Sequence, residues 1–187
     1  MNHKMKYELL QPWSTFVMKT KLPPEILQKM LKITDEIVAN VETAKSWGDN
    51  LAGQIKEESL IPPEVLKEHN LTDFFGNMVH EYVHQCNLQK TPPEQSQNME
   101  AVKNRIQVTI NSMWIVEQQP GEYNPIHTHT NCDISTVMYL KAPIFLPSEK
   151  TKRDDDGTIY FIGSSSPKGK LKTNTVKVKP RPGAFFI

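Results

Sequence analysis

The apolar residues of this chain change their rhythm partway along, and that change limits the fold more than any other feature. In the first half they recur at helical spacing: Ile26, Leu27, Met30, Leu31, Ile33, Ile37, Val38 and Val41 fall on one flank of a helix reaching about Ala44. From Arg105 the period becomes two, with Ile106, Val108 and Ile110 alternating with Gln107, Thr109 and Asn111, as a half-buried strand requires. Helices first and antiparallel strands afterwards is the order of an α+β protein. The length suits a single domain over residues 1–187, with a mainly helical half at 1–104 and strands over 105–187.

Punctuation residues place the elements. Residues 7–20 read as an edge strand ending in Phe16-Val17-Met18. Leu22-Pro23-Pro24-Glu25 opens the first helix, because proline suits a first turn whose amides have no partner and Glu25 complements its positive end. Residues 45–61 read as a polar connector in which Gly48 and Gly53 argue for turns. A second helix begins at Pro62 or Pro63 and passes Leu66. A third spans 72–88, capped by Asn70 or Thr72, with Phe75, Met78, Val79, Tyr82, Val83 and Cys86 on its apolar face. Thr91-Pro92-Pro93 ends it. Further strands are expected at 113–116, 134–140, 158–162, 175–179 and 184–187. Gln119-Pro120-Gly121-Glu122 and Asp154-Asp155-Asp156-Gly157 read as turns, and the latter lacks the spaced ligands and terminal Glu of a calcium loop.

Charge and cysteine content exclude several functions. Twenty-two basic and 21 acidic side chains leave a formal charge of +1, so no global field favours nucleic acid or an anionic membrane. The five lysines between Lys168 and Lys179 read as a solvated hairpin. Cys86 and Cys132 are too few and too far apart for a disulfide framework or a paired-cysteine zinc site, and fit a reducing compartment. No 18-residue apolar stretch is present and the first residues lack a secretory apolar core, so the expected location is the cytoplasm, with no membrane partner.

Two histidine groups have metal chemistry within reach. His80-Glu81-Tyr82-Val83-His84 places imidazoles at i and i+4 of the third helix with a glutamate between them, the pattern of a zinc hydrolase whose Glu81 would act as general base. Its surroundings are poor: no Gly-x-x-His follows, and Glu94 and Glu100 lie beyond the Pro-Pro break. Solvated helix-flank histidines are the simpler explanation, with the hydrolase as the alternative. The second group, His127-Thr128-His129, sits where Gly121-Glu122-Tyr123-Asn124-Pro125 hands over to an apolar run. Histidines two apart on an extended backbone point to one side, so they are either a solvated pair at a strand end or two nitrogens offered to one ion.

The order Trp114-Ile115-Val116, Gly121-Glu122, Pro125-Ile126-His127-x-His129, Ser135, Tyr139-Leu140, Pro143 and Pro180-x-Pro182-Gly183-Ala184-Phe185-Phe186 resembles the iron(II)- and 2-oxoglutarate-dependent oxygenase superfamily. It is most similar to the prolyl-hydroxylase-like oxygenases of phages and marine bacteria. The likeness runs over essentially the whole chain but is dense only from Trp114 to Pro143. It implies N-terminal helices packed on a double-stranded β-helix (jelly roll), with Fe(II) and 2-oxoglutarate as cofactors and a peptide or small molecule as substrate. It also implies His127 as the first metal ligand, and His129 in the place where the superfamily has a carboxylate. Asp133 could supply a carboxylate from the same loop. Tyr139 takes the position of a tyrosine that reaches the cosubstrate, or else is a core aromatic. The family's distal histidine and its arginine for the far carboxylate have no counterpart before Ile187. The resemblance therefore implies a C-terminally incomplete, truncated jelly roll, inactive as it stands. Its last strand would be an unpaired edge that invites a homodimer, in a host cytoplasm if the source is a phage. A metal-free jelly-roll module that binds a partner or carbohydrate is the third alternative.

Overall fold

The structure, a computed structural model, describes residues 5–10, 16–91, 106–144, 155–163 and 175–187. In chain order its elements are β1 (Tyr7–Leu10), β2 (Val17–Lys21), α1 (Pro24–Ala39), a 3-10 turn (Gly48–Asn50), β3 (Glu57–Leu60), α2 (Pro63–Glu68), α3 (Leu71–Lys90), β4 (Trp114–Glu117), β5 (Val137–Met138), β6 (Ile159–Ile162), β7 (Thr175–Val178) and β8 (Ala184–Phe186). Helices are thus combined with small antiparallel sheets, the α+β class. The chain divides into two compact units, Met1–Pro24 with Thr136–Ile187 and Glu25–Ser135. No helix is long and apolar enough to cross a membrane among the described residues.

In the first unit an antiparallel sheet runs in the order β1-β2-β8-β5. Residues 7–20 are therefore a hairpin rather than one strand, with β1 at the sheet edge; residues 11–15 lie outside the described set. Phe16, Met18, Leu22, Phe185, Phe186 and Ile187 form its core, each at most 6% exposed. Phe186 packs edge-on against Tyr139, with ring centres 6.4 Å apart, and lies 5.8 Å from Phe161 on β6. The expectation of an unpaired last strand is corrected here. β8 is interior, flanked by β2 and β5, and Ile187 exchanges both backbone hydrogen bonds with Met18, at 3.0 and 2.8 Å. An edge-to-edge dimer through β8 has no edge to use. The β6–β7 pair forms a separate two-stranded sheet. The basic run expected as a hairpin begins outside the described residues and enters them at β7.

In the second unit α1 ends at Ala39, short of Ala44. Asn40 donates its side-chain amide to Glu36 O at 2.8 Å, and the amides of Thr43 and Ala44 fold back onto Asn40 O. A side chain that competes for backbone carbonyls ends a helix in this way. Ile26, Met30 and Ile33 are buried, and the buried Thr34 hydroxyl is satisfied by Met30 O at 2.9 Å. α2 packs on α3. Asn70, between them, adopts the left-handed conformation (φ 56) and makes no side-chain cap, so it terminates α2 rather than capping α3 as the sequence suggested. Only Leu71, Phe75 and Met78 of α3 are buried; the expected apolar positions Val79, Tyr82, Val83 and Cys86 are half-buried.

Two strand expectations change. Residues 106–111 keep the alternation of half-buried and exposed positions but pair in no ladder among the described residues. Conversely, the polar connector contains β3, which pairs with β4 in the register Glu57↔Glu117, Glu58↔Val116, Ser59↔Ile115 and Leu60↔Trp114.

Candidate metal centre and its supporting recess

The β3–β4 pair is the platform of the site. Residues directly opposite in an antiparallel pair share a face, and the next residue along points to the other. Glu58, Leu60, Trp114 and Val116 therefore share one face, and Ser59 and Ile115 the other. A third segment borders β3, because Trp47 N donates to Glu58 O at 2.7 Å and Leu60 N to Lys45 O at 2.9 Å.

The loop after β4 is tied back to this platform. Gly121 takes a positive φ of 88, which a side chain would resist, and reverses the chain. Glu122 then acts as a clasp. Its carboxylate accepts Gln119 N at 2.8 Å and Lys56 N at 3.2 Å, and its carbonyl accepts Gln118 Nε2 at 2.6 Å. Gln54 N adds a bond to Tyr123 O at 2.9 Å. At Gly53 the approach is so close that a Cβ would overlap Asn124 Oδ1 and meet Glu58 Oε1 at 3.5 Å. Glycine accommodates both oxygens; a larger residue would force the exposed Asn124 side chain to swing away.

This clasped loop delivers His127 and His129. His127 Nδ1 lies 2.7 Å from Pro125 O. A carbonyl only accepts, so Nδ1 carries the proton and a neutral ring keeps its lone pair on Nε2. His129 lies beside Trp114, with ring centres 5.9 Å apart. Burial, and secondarily His127, hold its pKa below the usual histidine value, which favours the neutral, ligating form. The two imidazole centres are 5.0 Å apart at 77°. Two imidazoles bound side by side to one ion, each nitrogen ~2.1 Å from it, have centres about 4.5–5 Å apart. That separation is one that a single ion can bridge and is also that of an edge-on ring contact. Both rings are exposed.

The other expected site residues fall elsewhere. Asp133 is exposed, and among the described residues no third His, Cys, Asp or Glu joins the pair in a group able to hold a metal. Tyr139 belongs to the first unit, where Tyr139 N donates to Ala184 O at 2.9 Å and its half-buried ring meets Phe186. Burial pushes its phenol up to about 12, so it is a neutral donor at any physiological pH. His80 and His84 lie one turn apart on α3, and Glu81 accepts a hydrogen bond from Gln85 at 2.9 Å. His84 Nδ1 is buried without a partner, yet no three-residue metal group forms around them among the described residues; Glu94 and Glu100 lie outside that set.

Sequence reasoning missed Glu58 and the structural use of Glu122. Glu57 and Glu58 are adjacent and chemically identical, and only the register with β4 decides that Glu57 is exposed while Glu58 is 4% exposed. Burial, and next the charge of Glu122, raise the Glu58 pKa; the nearby His127 acts in the opposite direction.

Comparison with protein families matches residues 112–187 to the family described as "Putative 2OG-Fe(II) oxygenase". The matched stretch contains β4, the clasped loop, both histidines and β5 to β8. It covers less than half of the chain, and residues 45–60, which support the loop, lie outside it. Comparisons with curated proteins and with solved structures find no match.

Proposed function

We propose that this chain carries the metal-binding end of an Fe(II)- and 2-oxoglutarate-dependent oxygenase, with His127 and His129 as iron ligands. One observation carries the proposal. Pro125 O fixes the His127 tautomer that leaves Nε2 free, beside a second imidazole whose ring centre lies 5.0 Å away, a separation that one ion can bridge. The family match over residues 112–187 supports the choice of iron over zinc. When bound, iron with 2-oxoglutarate would supply the oxygen chemistry of such enzymes.

The chain's own residues would hold and orient. His127 and His129 donate nitrogens, Pro125 O fixes one ring, and Trp114 limits the movement of the other. Tyr139, neutral at physiological pH, would donate a hydrogen bond to the cosubstrate. Two imidazoles without a carboxylate leave the ion more positive than a two-histidine, one-carboxylate set would, and with fewer anchors. Metal affinity and turnover of this polypeptide are accordingly expected to be low. The sheets would belong to a jelly roll covered by the helices, the chain would be of the prolyl-hydroxylase-like kind found in phages and marine bacteria, and the setting would be cytoplasmic.

Anaerobic Fe(II) titration tests the ligand assignment. Binding should be lost in His127→Ala and His129→Ala and kept in His80→Ala. Metal that follows His80 and ignores His127 would overturn the proposal and favour the zinc hydrolase. Succinate formation dependent on 2-oxoglutarate is the corresponding test of activity.

A further inference from the structure

Gly53 has no conformational reason to be glycine. Among the described glycines, Gly121, Gly157 and Gly183 take positive φ values that a side chain resists, and Gly53 does not. Its requirement is space. A Cβ at Gly53 would overlap Asn124 Oδ1 and stand 3.3 Å from Asn124 Cγ. At Gly48 the nearest atom would be 3.6 Å away, an ordinary contact, and at Gly76 nothing is near.

The space left at Gly53 admits the entrance to the histidine segment. Asn124 is held on both sides. Before it, Tyr123 O accepts Gln54 N at 2.9 Å and the Glu122 carboxylate accepts Lys56 N at 3.2 Å. After it comes Pro125, whose ring keeps the backbone of the preceding residue extended. Pro125 O in turn meets His127 Nδ1 at 2.7 Å. A side chain at position 53 can therefore be accommodated in two ways. Either the exposed Asn124 amide swings into solvent, or residues 123–125 lift away from the segment before β3. A methyl group leaves much of the swing available. A branched side chain fills two of the three staggered positions around its Cβ, whichever rotamer it takes, and brings in the lift. Lifting carries Pro125 O out of line with His127.

We propose that Gly53 is a positioning residue for the histidine pair. By leaving room for Asn124 it seats residues 123–125 against the segment before β3, and so sets the Pro125 O contact that leaves His127 Nε2 free. Gly53 lies outside residues 112–187, so the family match does not assign it. Only the consequence for iron rests on the oxygenase reading; the seating itself concerns the metal-free chain.

The test uses the full chain and two readouts. The first is the imidazole nitrogen chemical shifts of His127 in metal-free protein, at a pH where the ring is neutral, assigned with His127→Gln. Wild type should carry its proton on Nδ1, and Gly53→Val should give the tautomer mixture of a ring that is no longer held. The second is anaerobic Fe(II) titration, in which Gly53→Val should lower affinity about tenfold or more, as loss of an outer support does. Gly53→Ala should give both effects at smaller size, which keeps the test valid if the valine chain folds poorly. Adding Asn124→Ala removes both crowded atoms and should recover most of the tautomer and the affinity, a rescue that a general loss of folding would not show. An unchanged His127 tautomer in both Gly53 variants, or a loss that Asn124→Ala leaves in place, overturns the proposal. If the tautomer moves as stated while no protein binds Fe(II), wild type included, the iron reading falls and the positioning role stands. Equal Fe(II) affinity in every protein with a fixed tautomer removes the positioning role alone.

Discussion

Replacing Glu58 by glutamine should make the protein more stable. The substitution keeps shape and volume and removes a negative charge that burial disfavours and Glu122 repels, against a smaller attraction from His127. Leaving a buried polar group unsatisfied costs about 1–3 kcal/mol, more for a charge. The Glu58 oxygens keep some contact with solvent, and screening holds the gain near ~1 kcal/mol. For a chain of this length that corresponds to a rise in Tm of about 2–4 °C. The pH dependence fixes the cause. Burial raises the folded-state pKa of Glu58 above its ordinary value of 4.5. A raised carboxyl contributes stability that is present at low pH and lost as pH rises through the folded pKa. The advantage of Glu58→Gln should therefore vanish near pH 4 and be complete at neutral pH. Differential scanning calorimetry of both proteins across that range reads it directly. A variant no more stable at neutral pH, or an advantage independent of pH, would refute the reasoning.

Other substitutions probe the two units separately. Phe186→Ala removes a ring that is 1% exposed and in contact with Tyr139 and Phe161, and should cost about 3–5 kcal/mol in urea denaturation. Glu122→Ala removes the clasp and leaves Lys56 N and Gln119 N without their acceptor. It should weaken Fe(II) binding about 10–100-fold, as loss of an outer support does, with both histidines intact. Tyr139, with its pKa up to about 12, makes stability fall above pH 10, by about 1.4 kcal/mol per unit until pH 12; Tyr139→Phe should flatten that decline.

What could be foreseen from the residues follows physical lines. The helices were legible because proline starts and helical spacing are local signals, and α1, α2 and α3 stand within a few residues of their expected bounds. The histidine pair was legible for the same reason: spacing of two is local. β3 was not, because Lys56-Glu57-Glu58-Ser59 carries no strand signature and becomes a strand only through its partner β4. Residues 106–111 go the other way, with the right period and no strand partner among the described residues. Glu58 was hidden because one step of register decides which of two adjacent glutamates turns inward. Asn70 misled because asparagine serves equally well as a cap and as a left-handed stop.

The clasp also bears on how this protein can be cut down for study. Glu122 reaches Lys56 across 66 positions of sequence, so the histidine loop acquires its shape only after distant stretches have met. A synthetic peptide copying that loop would carry both imidazoles but nothing to hold them at a fixed angle. Excising residues 112–187 as a minimal fragment would discard β3 and the neighbouring Lys56 amide that anchors the turn. A useful minimal fragment has to begin upstream of Lys45.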